Sequence, residues 1–288
     1  MDNQLLKLTD VSFPLSIIEH KKSTIGALFS SHLHENQLQL FYFLSGNATI
    51  FCNQEAYHTV ASDILLINKN ELHYGENYAG KLHYFVFRID LKLLAAYDIS
   101  AVTEKYFKPL ASGLLVLKNN VTNQQIQNIL NTIIKEYQLQ NTGYELKLLS
   151  CLFDLLSKLV GNYKNRIYNE QSVDILMKKT KRFADIFQYI ELNYAQNITL
   201  SELANRAHMS EGYFCRMFKQ STGRTPMDYI NHFRIEQSII LLNQGICNIT
   251  EAGMTVGFDD INYFSRVFKK YMKQSPEHYL KNDQKYFL

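Results

Sequence analysis

The sequence predicts an α+β chain of two domains: an N-terminal β-barrel with a helical hairpin, then an all-α domain carrying two helix-turn-helix units. Three observations predict it. Residues 32–90 form a series of short strands separated by polar turns. From residue 119 the apolar period changes to that of helices. Beyond residue 198 one helix–turn–helix pattern occurs twice. At 288 residues and 46% hydrophobic, the chain has room for both domains and the apolar content to fill them.

Phe13 to Ile18 reads as a short strand or an arm. Leu38–Leu44 and Thr49–Cys52 are joined by Ser45-Gly46-Asn47, a hairpin signal, and further strands read at Ala56–Val60, Ile64–Ile67 and Leu82–Ile89. A helix over 122–140 places Ile126, Ile129, Leu130, Ile133 and Tyr137 on one side. After the turn Asn141-Thr142-Gly143, a second helix over 144–161 carries Leu146, Leu149, Cys151, Leu152, Phe153, Leu156 and Leu159. The short loop makes them an antiparallel hairpin, whose apolar stripes fit the open side of a barrel. Residues 1–160 are therefore read as one domain, the polar stretch 161–172 as a linker, and 173–288 as the second domain. A helix over 173–195 braces the first helix-turn-helix through Phe183, Ile186, Phe187, Ile190 and Leu192.

The helix-turn-helix units repeat in detail. Thr199 with Glu202, and Asn248 with Glu251, have capping-box spacing. Ser210 stands at the N-cap of one second helix, and Asp259 or Asp260 at that of the other. Tyr213-Phe214-Cys215-Arg216-Met217-Phe218-Lys219 is echoed 50 residues on by Tyr263-Phe264-Ser265-Arg266-Val267-Phe268-Lys269. Gly257 supplies a turn residue free to take positive φ, and a helix from Pro226 to Leu242 lies between the units. Leu203-Ala204, Gly223-Arg224-Thr225-Pro226, Tyr229, Arg234-Ile235, Val256-Gly257-Phe258, Lys270, Ser275-Pro276 and Tyr279 complete a pattern of about 100 residues. It resembles the DNA-binding domain of the AraC/XylS family of bacterial transcription regulators. Three features depart from the family pattern: Ala252-Gly253 replaces a bulkier pair, Lys273 a glycine and Leu280 an arginine. An interior glycine costs about 1 kcal/mol against alanine, so the second unit is expected to be the looser one and to depend on DNA for its order.

In such a motif the second helix enters the major groove. With the apolar stripe inward, Glu211, Gly212, Cys215, Arg216 and Lys219 face outward on the first reading helix. Family base-reading positions fall on Gly212, Cys215 and Arg216. The first two have little reach, so Arg216 is expected to carry direct readout, with a phosphate contact or a surface salt bridge as the alternative. On the second helix the outward set is Ile261, Asn262, Ser265 and Arg266, with thymine-methyl contact for Ile261 and adenine pairing for Asn262. Lys219, Arg224, Lys269 and Lys270 are phosphate candidates. The basic excess fits this: from Lys178 on there are 15 Lys and Arg against 11 Asp and Glu.

The N-terminal half carries His32-x-His34-x₄-Gln39-x₆-Gly46, the spacing of the first cupin motif with Gln in place of Glu, and a traceable second motif through His73. It resembles the cupin-like sensing domain common in the AraC/XylS family. Alternation puts Gln39, Phe41 and Phe43 on one side of their strand and Leu40, Tyr42 and Leu44 on the other. The effector candidates are His32, His34, Gln39, Phe41, Phe43, His73, His83 and Tyr84, whose aromatic and polar mix suits a sugar or another small polar molecule. A divalent metal on the three histidines is the weaker alternative, because an amide replaces the carboxylate ligand. No cofactor and no catalytic residue is assigned.

Four cysteines without C-x-x-C spacing, no signal-peptide pattern at Met1-Asp2-Asn3-Gln4 and no long apolar run imply a cytoplasmic protein with free thiols. The resemblance implies double-stranded DNA, RNA polymerase and a small-molecule effector as partners, a homodimer through the hairpin, and activation rather than repression. The alternatives left open are a metal-dependent cupin enzyme with an appended DNA-binding module and a ligand-independent dimeric regulator.

Overall fold

The structure, a computed structural model, describes residues 5–6, 13–23, 26–52, 55–77, 80–97, 100–245 and 247–283. The opening Met1-Asp2-Asn3-Gln4 lies outside them. In chain order the strands are β1 (Leu5–Leu6), β2 (Leu15–Lys22), β3 (Gly26–His32), β4 (Gln37–Ser45), β5 (Ala48–Cys52), β6 (Glu55–Thr59), β7 (Ile64–Ile67), β8 (His73–Asn77) and β9 (Leu82–Asp90). Then come α1 (Leu91–Ala96), α2 (Ser100–Val102), a π-turn at Thr103–Phe107, α3 (Lys108–Ser112), β10 (Leu115–Leu117), β11 (Asn120–Val121), α4 (Gln124–Leu139), α5 (Tyr144–Tyr163) and β12 (Lys164–Ile167). The rest is helical: α6 (Glu170–Asn193), α7 (Leu200–Arg206), α8 (Glu211–Thr222), α9 (Pro226–Asn243), α10 (Ile249–Thr255), α11 (Ile261–Met272) and α12 (Pro276–Asp283).

The described strands do not close into one barrel. They form a six-stranded sheet in the order β1-β2-β9-β4-β7-β11, a four-stranded sheet in the order β3-β8-β5-β6, and the pair β10-β12. Strand β9 lies between β2 and β4, antiparallel to both. One face of the six-stranded sheet holds Leu15, Ile17, Leu38, Leu40, Tyr42, Leu66, Phe85, Phe87 and Ile89. Against it pack Ile126, Leu130 and Ile133 of α4 and Leu148, Leu152, Leu155 and Leu159 of α5. The helical hairpin thus covers a sheet face, and burial of this apolar area holds it there. Asn123 caps α4 by accepting from Gln125 N and Ile126 N, and Gly143 in the left-handed region makes the turn into α5. Leu146, expected on the apolar stripe of α5, is instead 74% exposed.

The stretch 161–172 is not a free linker. Its first residues end α5, Lys164–Ile167 pair with β10 as β12, and α6 starts at Glu170. The chain divides into two compact units. The first comprises the described residues of Met1–Thr24, Leu33–His73 and Asn77–Thr180, and the second those of Ile25–His32, Tyr74–Glu76 and Lys181–Leu288.

In the second unit an aromatic cluster of Phe183 and Phe187 on α6, Phe214 and Phe218 on α8 and Tyr229 on α9 seats the first helix-turn-helix. Ala252, Val256, Phe258, Phe264, Val267 and Phe268 pack with Ile235 and Leu242 of α9 to seat the other. Helix α9 therefore serves both cores, starting from Thr225, which accepts from Asp228 N, with Pro226 in the first turn. Arg234 of α9 ties the preceding loop by donating to the carbonyls of Tyr194 and Gln196, each at 2.7 Å. No helix among the described residues is long and apolar enough to cross a membrane.

Candidate functional site

Helices α8 and α11 bury the stripe expected of reading helices. Phe214, Phe218, Phe264 and Phe268 are fully buried and Val267 nearly so, while Met217 is only half-buried. The opposite side of each helix is open. Gly212, Arg216 and Lys219 are exposed on α8 with Cys215 half-buried, and Asn262, Arg266 and Lys269 are exposed on α11 with Ser265 half-buried. Arg216 and Arg266 occupy equivalent places, and Arg266 lies over the ring of Tyr263 at 5.7 Å. Ile261 packs partly against the core of its own unit, so less of it is offered outward than expected.

Two of the phosphate candidates are engaged elsewhere. Arg224 donates to Glu76, with its guanidinium 5.8 Å from the Tyr74 ring and 5.6 Å from the Tyr271 ring. A cation with a carboxylate and two aromatic faces around it is not solvent surface waiting for phosphate. Lys270 donates to Asp228 Oδ1 at 2.8 Å, which holds the Asp228 carboxyl below its usual range and ties α11 to α9. This pair is exposed and exchangeable. The outward set that remains is Arg216, Lys219, Asn262, Arg266 and Lys269.

The six-stranded sheet supplies the other candidate site, on the face away from the helical hairpin. Alternation places Gln39, Phe41 and Phe43 of β4 there, in register with Arg88, Val86 and Tyr84 of β9. From β2, in register with β9, come Ser16, Ile18 and His20. Tyr84 stacks on His20 at 4.8 Å, on Phe43 at 5.6 Å and on Phe41 at 6.1 Å. His73 lies 6.0 Å from Phe41 and 5.6 Å from His34, measured between ring centres. His83 does not join this group. Alternation turns it to the other face, where its Nε2 meets Glu19 Oε1 at 2.8 Å. Since adjacent residues of a strand face opposite ways, His83 and Tyr84 cannot both line one surface.

Burial, helped by Lys22 and Arg88, pulls the His20 pKa down to about 4, so this ring is neutral at pH 7. Gln39 is 1% exposed and donates through Nε2 to Gln37 Oε1 at 3.2 Å. His73 Nδ1 lies 2.9 Å from the Glu71 carbonyl, which can only accept, so Nδ1 carries the proton and Nε2 is the acceptor nitrogen. Of the three motif histidines, His34 and His73 belong to the first unit, while His32 ends β3 in the second and is half-buried. Arg88 lies on the same face as Gln39, and neither cupin motif points to it. Its signal in the sequence is a single cation inside the apolar run Tyr84-Phe85-Val86-Phe87-Arg88-Ile89, on the parity of Tyr84.

Comparison with known proteins matches residues 17–156 to the AraC-like ligand binding domain and residues 203–282 to a helix-turn-helix domain family. The HTH-type transcriptional regulator YdeC of Bacillus subtilis is 28% identical over 98% of this chain and 97% of its own length. The lactose operon transcription activator of Staphylococcus xylosus is 24% identical over 81% of this chain and 80% of its own. Among solved structures, an apo form of ToxT from Vibrio cholerae is 19% identical, covers 93% of this chain and 97% of its own, and superposes with a TM-score of 0.49. With a ligand-binding domain of the AraC type followed by the matching helix-turn-helix domain, the chain belongs to the AraC family of transcriptional regulators.

Proposed function

We propose that the protein is a cytoplasmic, sequence-specific DNA-binding activator that works as a homodimer and responds to a small organic molecule held on the face of its six-stranded sheet away from the hairpin. The observation that carries the DNA reading is the pair of exposed arginines, Arg216 and Arg266, at equivalent positions of two echoed helices whose opposite sides are buried. A guanidinium held on a seated helix suits bidentate contact with guanine. Successive major grooves on one side of the duplex lie about 34 Å apart, so one protomer would span roughly two turns and a dimer would bind repeated sites. RNA polymerase is the partner that activation requires. The name of the Staphylococcus xylosus relative supports activation and a sugar effector.

The test is selection of bound duplexes from a random pool by the purified full-length protein. A recurrent motif, with affinity at least about a thousandfold over random DNA, is the expected result. Binding without any enriched motif contradicts the proposal. The approach of His34 to His73, 5.6 Å between ring centres, favours a second reading, a metal-holding domain with chemistry of its own. Metal analysis of purified protein decides it, since stoichiometric metal supports that reading and its absence removes it.

A further inference from the structure

The two reading helices differ in how they hold their exposed arginines. Tyr213 and Arg216 on α8 have the same i, i+3 spacing as Tyr263 and Arg266 on α11, which sets each pair on one side of its helix. Among the described residues, neither the Tyr213 nor the Arg216 side chain has a hydrogen bond, ion pair or ring contact. Arg266 is placed instead. Its guanidinium lies over the Tyr263 ring at 5.7 Å, and no carboxylate among the described residues pairs with it, so the ring is what orients it. Tyr263 is itself held. Asn231 of α9 donates from Nδ2 to its hydroxyl at 3.0 Å, and its ring centre lies 5.8 Å from that of the buried Phe258. Arg234, fixed by its two carbonyl acceptors, lies over the Phe258 ring at 5.5 Å. A chain of cation, ring, ring and cation thus runs from the anchored Arg234 of α9 to the exposed Arg266 of α11. Tyr263 is 42% exposed, so core packing alone does not require an aromatic residue there.

We infer that Tyr263 is a positioning residue: it sets the Arg266 guanidinium in one orientation before DNA arrives, and so governs base selection by the second reading helix. This rests on the DNA reading above. A guanidinium stacked on a ring keeps its N–H edge available for a paired contact with guanine. An arginine held in this way loses less rotamer freedom when it binds. Its effect falls on selectivity, because binding to any duplex is carried by charge, and Tyr263 brings none. The tie to Asn231 fixes the ring to α9, the helix that serves both cores, so Arg266 is oriented against the element that spaces the two units.

The experiment is binding of the full-length protein, at fixed salt, to the selected duplex, to its single base-pair variants and to random duplex. Wild type is compared with Arg266→Ala, Tyr263→Leu, Tyr263→Phe and the double variant of Arg266→Ala with Tyr263→Leu. Arg266→Ala defines which base pairs Arg266 reads. Tyr263→Leu is expected to relax preference at those same base pairs by about two- to fivefold, the strength of one exposed cation–ring contact, and to leave binding to random duplex unchanged. Tyr263→Phe, which keeps the ring and loses the Asn231 tie, should fall between wild type and Tyr263→Leu. The double variant should discriminate no worse than Arg266→Ala alone. Full discrimination by Tyr263→Leu overturns the proposal. So does an even loss of affinity for every duplex, which would mark Tyr263 as a structural residue, and so does a loss that adds fully to that of Arg266→Ala, which would mark a DNA contact of its own. If Arg266→Ala relaxes no base pair, the proposal fails while reading through Arg216 stands. A wild type without any preferred duplex removes the DNA reading itself.

Discussion

In the first helix-turn-helix unit Thr199 accepts from Glu202 N at 3.2 Å, but Glu202 turns away, accepting from Tyr189 at 2.5 Å and pairing with Arg206. In the second, Asn248 and Glu251 close both halves of a capping box, at 2.9 and 2.8 Å. Ser210 gives α8 no side-chain cap, whereas Asp260 accepts from Asn262 N at the start of α11. The ends reverse this order. Gly223 takes the left-handed position after α8 with φ +74°, and Lys273 is forced into it after α11 with φ +59°. The turns reverse again, with His208 at φ 54° in the first unit and Gly257 at φ +95° in the second. The expectation that the second unit is looser does not follow from this structure. Its Gly253 lies under Phe264, where a Cβ would meet the ring at 3.1 Å, and its helix starts are the better capped. Two copies of one motif have divided the same local strains differently.

The largest expected effect is at Gly257. An added Cβ would stand 2.6 Å from the Ala195 carbonyl oxygen, on a backbone already left-handed. Gly257→Ala is expected to destabilise by about 3 kcal/mol in urea unfolding, while His208→Gly in the first unit stabilises by about 1 kcal/mol. A loss under about 1 kcal/mol for Gly257→Ala would break the contrast between the turns.

Next comes acid. His232 on the shared helix α9 is held down to about 3 by burial and by Arg224. In the unfolded chain it titrates near 6.5, so below that pH the unfolded state binds more protons. Stability from this residue is complete above about pH 6.5 and is lost as pH falls toward about 3, by up to a few kcal/mol. His232→Gln should flatten the stability curve between about pH 6.5 and 4, and an unchanged slope there would remove His232 from the account.

How much of this is legible in the sequence follows the range of the forces. The echoed helices are legible because their stripes repeat locally, and the two faces of β4 because alternation is fixed by the backbone. The hairpin covering a sheet follows from the same periodicity. Long-range partners are hidden. Glu76 is far from Arg224 in sequence, Asp228 from Lys270, and β10 from the polar stretch that becomes β12. The absence of side-chain capping at Ser210 depends on geometry that residue identity does not specify. His83 is the opposite case, since alternation along β9 is enough to exclude it from the face of Tyr84. Arg88 is one charge in an apolar strand, and its neighbours Ser16 and Gln39 emerge only once the strands are paired.

Smaller effects sharpen the comparison of the units. Lys273→Gly should stabilise by about 1 kcal/mol, bringing the end of α11 to the state of α8, measurable as a higher urea midpoint. Gly253→Ala should change stability by less than about 0.5 kcal/mol, because the gain in helix propensity is offset by the Phe264 contact. A full gain of about 1 kcal/mol would show that Phe264 yields freely and that glycine has no packing role there.

The central claim is that the two exposed arginines read DNA through one pair of echoed helices. It is tested most directly by footprinting wild type, Arg216→Ala and Arg266→Ala on the selected site. The account predicts wild-type protection over two successive major grooves. Arg216→Ala should lose about 1–3 kcal/mol of discrimination with unchanged thermal stability, and Arg266→Ala should lose less. A footprint and affinity unchanged by Arg216→Ala, or protection confined to a single groove, would contradict it.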